Sequence, residues 1–355
     1  MTNVVGDLLE EQLVVEVGTE QSNGGRPRVL LRMNPDFGVA IGVDVGETGI
    51  RVGGFDLWMR EIAESVLDIH PQANPLEEVV AGIADAVAEL RARLEAEGRR
   101  ILGVGLAVPG VVEHDLDGHV HAPSIGWDAV PLRRLVRERL DLALWIENGA
   151  KTLGQAEMWL GAGRGHRHAV VSLWATGIGA GIFVDGALYR GSASSAGEWG
   201  HTNIVVGGER CRCGADGCLE AYIGAKALLH AWAREEPSLE LPAEPDQQAW
   251  IARLLDAGSP GATAVLDRAA TTFGTAAANL VNLFNPELVV VSGWAGLMLG
   301  PRLLPRIREV VAAQALDYAA RRVTFELGRL GPEAVALGAS TLVVEDLLAR
   351  GGVVA

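Results

Sequence analysis

No stretch of this sequence stays apolar for the ~20 residues that a membrane-spanning helix requires. Met1 does not lead into a basic and then apolar secretory leader either, so a cytoplasmic protein with no membrane partner is the expectation. Basic residues are scarce: 30 Lys and Arg stand against 45 Asp and Glu, for a net charge of −15. Broad affinity for nucleic acid needs clustered cations to neutralise phosphates, so any DNA contact is confined to a small local surface. A disulfide framework is excluded as well, because only three cysteines occur, Cys211, Cys213 and Cys218, all within eight residues. What remains is an ordinary globular composition, 49% hydrophobic and 21% charged. At 355 residues the chain has room for two α/β domains and a small appendage.

Residues 1–36 read differently from the rest. Val4, Val5, Leu8 and Leu9 form a helical stripe over Thr2 to Glu11, Leu13 to Val17 reads as a strand, and Arg28 to Met33 reads as its partner. Between the strands lies a polar, glycine-rich turn that ends in Asn23-Gly-Gly-Arg-Pro-Arg28. Helix, strand, turn, strand is the back half of a winged helix, and equally a β-hairpin packed on a larger body. From Phe37 onward one pattern occurs twice. Val39 to Asp44 is a buried strand running into the turn Val45-Gly-Glu-Thr-Gly49, with further strands at Ile50 to Leu57 and Glu61 to Asp68. Ala169 to Trp174 runs into Ala175-Thr-Gly-Ile-Gly-Ala-Gly181, followed by a strand at Ile182 to Val184 and a hairpin turn at Asp185-Gly186. Asn74 as cap, Pro75 at the first position and Glu77 reaching back start a helix that runs to about Gly98, before a buried strand over Ile101 to Val108. Two similar α/β halves with a cleft between them is the natural reading, with both glycine turns facing the cleft, where backbone N–H groups suit phosphate. A glycine turn of this kind is also often no more than a tight connection.

The sharpest local signal is His201 followed by Cys211-Arg-Cys213-Gly-Ala-Asp-Gly-Cys218. Three thiolates and one imidazole meet the tetrahedral preference of a structural Zn2+, and Gly214 and Gly217 permit the turn that returns Cys218 to the Cys-x-Cys pair. The alternative is three buried free cysteines beside an unrelated histidine. Glu198 and Glu220 flank the cluster. A histidine with one ring nitrogen on the metal keeps only an N–H donor on the other, and a fixed donor beside two carboxylates suits recognition of a polyol. Both glutamates equally suit solvent or the support of the metal ligands.

These residues resemble the ROK family, bacterial repressors and sugar kinases with an actin-like, hexokinase-type fold. Glu198-Trp-Gly-His201 is similar to the family's Glu-x-Gly-His signature, and Cys211 to Glu220 to its Cys-x-Cys-Gly-x-x-Gly-Cys-x-Glu motif. Val108-Pro-Gly110, Gly126-Trp127 and Asn282-Leu-Phe-Asn-Pro286 resemble further family segments, and the resemblance covers essentially the whole chain. It implies an α/β actin-like ATPase fold of two ribonuclease H-like lobes with a partial winged helix-turn-helix in front. The domains implied are residues 1–36, a small lobe of 37–148 plus about 336–355, and a large lobe of 149–335 with the zinc site.

The resemblance also implies a sugar site of Asn148, Glu198, His201 and Glu220. Where the family's kinases read Glu-Asn-Asp-Ala-Asn, this chain reads Glu147-Asn-Gly-Ala-Lys151, so the general base is replaced by Gly149 and no catalytic residue is assigned. The nucleotide residues Asp44, Gly46, Thr48, Thr176, Gly177, Gly179 and Gly293 are then vestigial. Glu47 stands where backbone should meet a polyanion, Ala175 replaces a glycine, and Trp294 stands near the adenosine position, so ATP is not expected. The implied function is a sugar-responsive transcriptional repressor without kinase activity, with a free or phosphorylated sugar as effector. Thr2, Asn3, Arg26 and Arg28 would touch operator DNA in a homodimer or homotetramer. A complete helix-turn-helix needs two helices before the recognition helix, so the expectation is either that roughly 30 to 45 residues lie upstream or that the segment is a degenerate remnant, with poor DNA binding as written. The alternatives are an ATP-dependent sugar kinase of the glucokinase or N-acetylhexosamine kinase type, and a metabolic-sensing protein without DNA contact.

Overall fold

The computed structural model describes residues 2–21, 27–47 and 49–354, the side chains of Thr2 and Asn3 excepted. The chain opens with helix α1 (Thr2–Glu10) and an antiparallel ribbon of β1 (Val14–Glu20) and β2 (Arg28–Met33). β1 extends past Val17, because the sequence loses its alternation there while the backbone stays paired, with Glu20 opposite Arg28. The small lobe follows with β3 (Val39–Gly46), β4 (Gly49–Phe55), β5 (Glu61–Leu67), α2 (Leu76–Ala96) and β6 (Ile101–Val108). It continues through β7 (Val111–Val112), β8 (His119–Ala122), β9 (Trp127–Pro131), α3 (Leu132–Arg137) and β10 (Leu144–Asn148). Then come α4 (Gly149–Leu160), β11 (Ala169–Trp174), β12 (Ile178–Val184) and β13 (Ala187–Leu188). Four helices follow the metal-loop region: α5 (Glu220–Ile223), α6 (Ala225–Glu235), α7 (Gln247–Asp256) and α8 (Pro260–Phe284). The chain ends with β14 (Leu288–Ser292), α9 (Trp294–Gln314), α10 (Asp317–Ala320), β15 (Thr324–Leu327) and α11 (Ala334–Ala349).

Two five-stranded sheets share one topology. The small sheet runs β10-β6-β3-β4-β5, and the large sheet, read from its other edge, runs β15-β14-β11-β12-β13. In each, three parallel strands adjoin an antiparallel meander: β3 pairs in parallel with β6 and antiparallel with β4, as β11 does with β14 and β12. The parallel strands are apolar along their length, as strands covered on both faces must be. Helices α4 and α11 pack against each other between the sheets, α11 over β3 and β6, α4 over β11 and β12. That approach depends on missing side chains: a Cβ on Gly42 or Gly105 would overlap the carbonyls of Ala336 and Ala339, and one on Gly338 the carbonyl of Thr152. Outside the large sheet, Trp174 stacks on Phe273 of α8 at 4.9 Å, and Trp199 meets the same ring edge-on at 5.1 Å.

Local expectations are corrected at two places. Asn74 does not cap α2; its side chain accepts from the His70 N–H at 2.8 Å and donates to Glu78, so Pro75 stands at the cap position and Glu78 replaces Glu77 as the acidic partner. The second glycine turn is shorter than its run of glycines. β12 begins at Ile178, which leaves Gly179 and Gly181 inside a strand, because a Cβ on Gly179 would press on Ala150 and one on Gly181 on Phe183 and Gly154. Those glycines serve the packing of α4 on the sheet. Among the described residues no helix is long and apolar enough to cross a membrane.

Candidate ligand cleft and metal centre

The sheet topology gathers the sequence candidates at one edge. β3, β6 and β10 are parallel and in register, so Asp44 lies beside Ala107, and Val108 beside Asn148, at their carboxyl ends. β11 and β14 likewise end at Trp174 and Ser292, which brings Thr176, Gly177 and Gly293 to the corresponding edge of the large sheet. Ligand clefts of α/β proteins lie outside such carboxyl ends. Gly293 takes φ +80° beside the backbone of Trp174, a turn that only glycine makes freely. Thr48 lies outside the described residues.

The metal-loop residues converge. His201 sits on a 3-10 turn, Trp199–His201, anchored by the buried Trp199, while Gly214 (φ +95°) and Gly217 (φ +83°) fold the loop back on itself. The imidazole and the three sulfurs lie within 4.8 Å of one another. Cys213 Sγ stands 3.7 Å from Cys218 Sγ, and Cys211 Sγ 3.7 Å from His201 Nδ1. Both spacings exceed a disulfide bond and match the edges of a zinc tetrahedron, about 3.8 Å for S···S and about 3.6 Å for S···N given Zn–S of about 2.3 Å and Zn–N of about 2.0 Å. Burial, then hydrogen bonding and charge from the other thiols, pushes the Cys218 thiol up to about 12, and burial raises Cys211 as well. His201 and the three cysteines would hold a divalent cation as thiolates and imidazole, and a ring with one nitrogen so engaged would keep an N–H donor on the other. The cluster can hold a metal ion, and its donor set fits zinc.

Of the nominated sugar residues, Glu198 and Glu220 lie within electrostatic reach of this cluster, and Asn148 stands at the head of α4. Glu220 opens α5 and is buried; one oxygen accepts from the Ile178 N–H at 2.9 Å, the other from Arg212 Nε at 2.7 Å. Glu198 is half-buried, and burial raises its carboxyl above the usual range, helped by Glu220 and opposed by His201 and Lys151. Asn148 caps α4: its carbonyl oxygen accepts from Ala150 N at 2.8 Å and Lys151 N at 3.2 Å, and its amide donates to the Gly110 carbonyl at 2.7 Å. One amide hydrogen is left for a ligand. Gly149, the first residue of α4, has room beside it: a Cβ there would meet nothing nearer than Val335 at 3.7 Å, so no packing requirement demands glycine.

Several participants were not nominated from sequence. Buried Glu147 accepts from the Asn148 N–H at 2.9 Å and from Arg190 Nε at 2.7 Å, with Lys151 Nζ at 3.8 Å and His114 Nε2 at 3.6 Å. Burial alone would raise its carboxyl, but His114, Lys151, the Asn148 N–H and Arg190 together hold it near about 2. Lys151 is buried and donates to the Ser194 carbonyl; burial draws it below the usual lysine range against the pull of Glu147 and Glu198. At the first turn, burial pushes Asp44 up to about 7 despite Arg51. Glu47 accepts from Arg212 Nη1 at 2.6 Å and Gln72 Nε2 at 2.9 Å. The signal for Arg212 was present, a cation between two metal-ligand cysteines; its reach to the opposite lobe was not. Of the DNA-contact candidates, Arg28 is exposed at the start of β2, and Arg26 and the side chains of Thr2 and Asn3 lie outside the described residues.

The sequence pattern of the ROK family matches residues 40–346. The chain belongs to the ROK family. It has the family's actin-like, two-lobed α/β fold, the one also found in hexokinases. Over 359 aligned residues it is 30% identical to the xylose repressor of Caldicellulosiruptor bescii, spanning 98% of this chain and 88% of that protein. It is 31% identical to the glucokinase of Halalkalibacterium halodurans over 315 residues, 86% of this chain and 95% of the kinase. A solved ROK family transcriptional regulator, a homologue of the E. coli Mlc protein, superposes with a TM-score of 0.82 at 23% identity over 99% of this chain and 89% of that one. At that identity the superposition speaks for the fold. Family membership places both repressors and kinases among the relatives of this chain.

Proposed function

We propose that the chain is a sugar-responsive ROK transcriptional regulator that binds a neutral pentose or hexose in the cleft and does not phosphorylate it. The observation that carries this reading is position 149. Glu198 lies within electrostatic reach of both His201 and Glu220, while the position where the kinases of the family carry their general base is glycine, with room for a side chain at ordinary contact distance from Val335. Without a proton acceptor there, the pocket recognises a sugar and leaves it intact. His201, Cys211, Cys213 and Cys218 would hold Zn2+ as a structural ion, and the free ring N–H of His201 would then donate to a sugar hydroxyl. Xylose is the first sugar to try, because the relatives that span nearly the whole chain are named xylose repressors. A neutral sugar suits the site better than a sugar phosphate: Lys151 and Arg190, the cations beside Gly149, are engaged by Ser194 and Glu147.

The N-terminal segment reads as the recognition helix and wing of an operator-binding arm in a dimer or tetramer. It is docked where lobe movement reaches it. Leu13 and Met33 pack with Leu102, Val343 and Leu347, so α11 touches the arm at one end and α4, which Asn148 caps, along its length. Trp58 fastens the ribbon, donating from Nε1 to the Met33 carbonyl at 2.6 Å with Arg32 stacked over its ring. A ligand that shifts α4 against α11 thereby moves the arm. The test is calorimetry with D-xylose and D-glucose beside a coupled ATP assay. Binding with no turnover is the expected result, and sugar phosphate formed at an enzymatic rate would make the chain a kinase, the reading its glucokinase relative favours.

A further inference from the structure

Arg212 projects from the metal loop, between Cys211 and Cys213, and crosses the cleft. Its Nε and Nη2 donate to the two oxygens of Glu220, at 2.7 and 3.2 Å, and its Nη1 donates to Glu47 at 2.6 Å. Glu47 belongs to the β3–β4 turn of the small lobe and Glu220 to α5 of the large one. Gln72 fixes the far end, donating to Glu47 at 2.9 Å and to the Ser124 carbonyl at 3.3 Å. The guanidinium also lies against the second glycine turn, where a Cβ on Gly177 would stand 2.5 Å from Nη2. One cation therefore spans both turns that would face the phosphates of a nucleotide, with a carboxylate at each end. Side-chain exposure is 12% at Glu47, 7% at Glu220 and 34% at Arg212, so water screens the bridge less than it would a surface pair.

We propose that Glu47–Arg212–Glu220 is a latch between the lobes, which a sugar must undo in order to reach Glu220. The ligand-sensing step rests on the sugar reading above; the latch itself does not. Arg212 covers both oxygens of the carboxylate assigned to the sugar, and a carboxylate held on three sides has little acceptor capacity left. A sugar hydroxyl that takes one of those oxygens displaces Arg212, and losing the bidentate contact with Glu220 loosens its hold on Glu47. Loss of the bridge frees the small-lobe turn, so occupancy of the site is converted into a change of lobe angle. The latch also fills the space between the turns with an internal ion pair, a second obstacle to nucleotide that is independent of Gly149.

A neutral sugar has no charge for salt to screen, so salt dependence of its binding reports the latch. The test compares wild type, Glu47→Gln, Arg212→Gln and the double variant in full-length, zinc-loaded protein, with D-xylose titrated calorimetrically at 50 and 500 mM NaCl. Small-angle scattering of the sugar-free proteins is recorded in parallel. Wild type should bind D-xylose about 3-fold more tightly at high salt. Glu47→Gln should bind about 3- to 10-fold more tightly than wild type at low salt, with no further gain from salt, and the double variant should match it. Its sugar-free scattering should resemble that of sugar-bound wild type. Glu47→Gln binding no more tightly than wild type, with the same salt response, overturns the latch. If no variant binds D-xylose, that sugar assignment falls and scattering alone decides: an unchanged profile in Glu47→Gln refutes the latch, and a more open one sustains it. Glu47→Gln keeps shape and hydrogen-bonding capacity, and an unchanged melting temperature confirms that it folds.

Discussion

The small and large lobes share a strand order and a direction of pairing, yet they bring different chemistry to the cleft. After its meander the small lobe makes a helix and a short three-stranded flap, and gives the cleft Asp44, Glu47, Asn148 and the Glu147 network. At the same point the large lobe inserts the metal loop, and gives Glu198, His201, Arg212 and Glu220. Sheet topology is duplicated because it is the packing solution for apolar strands under helices, and many sequences satisfy it. Loops between elements bear no such constraint and carry the chemistry. On the proposed reading, recognition is concentrated on the large lobe, and the small lobe mainly answers to it.

That asymmetry can be broken at its strongest point first. Removing the metal by chelation, or substituting Cys218→Ser, should unfold the loop from His201 to Glu220 and cost on the order of 5 kcal/mol, a fraction of what zinc contributes to isolated finger peptides. Thermal melting with one equivalent of Zn2+ counted by a colorimetric chelator checks it; a metal-free protein that melts unchanged would leave the large lobe without its organising centre. Next comes the small lobe's buried charge. Glu147→Gln should destabilise by about 3 kcal/mol at pH 7, since Lys151 and Arg190 are left without their counter-charge. Because folding lowers the Glu147 carboxyl to about 2, its contribution is complete above the ordinary carboxylate range near 4.5 and disappears as pH falls from there towards about 2. Urea unfolding of both proteins across that window should show the gap closing.

Smaller effects sharpen the contrast. Glu198→Ala, in the large lobe, should weaken D-xylose binding about 10- to 100-fold, the worth of a hydrogen bond to a charged acceptor, with little change in melting. Equal affinity in the variant would remove Glu198 from the sugar site. Gly149→Asp tests the small lobe's missing base. The position has room, so stability should move by less than about 1 kcal/mol. Phosphoryl transfer should stay at background, because Glu47 still sets a carboxylate in the turn where a nucleotide's phosphates would have to lie. Measurable turnover from this single change would mean that the catalytic carboxylate is all that separates the chain from its kinase relatives.

Much of this was legible residue by residue. The β2 and β11 ranges and the approximate positions of β3 to β6 follow from alternation and apolar runs, because backbone pairing and burial act within a few residues. The metal cluster was legible because a chelate loop is closed by local turns, Gly214 and Gly217, which bring Cys218 back to its partners. The Asn74 cap was misread because Asn74 satisfies His70 instead, a choice between two neighbouring N–H groups that composition does not decide. Gly179 was read as turn because a glycine for φ and a glycine for close packing look the same in sequence; only the helix against which it packs distinguishes them.

By itself the sequence determined the family, the paired α/β halves, the clustering of His201 with three cysteines and the glycine at position 149, all properties of residue identity at short spacing. The tertiary structure decided which charges meet. Glu47 and Arg212 are 165 positions apart, and Arg190 lies 43 from Glu147. A charge acts through a few ångströms of space and not along the chain, so only folding could turn an acid misplaced in a phosphate turn into one end of a bridge across the cleft.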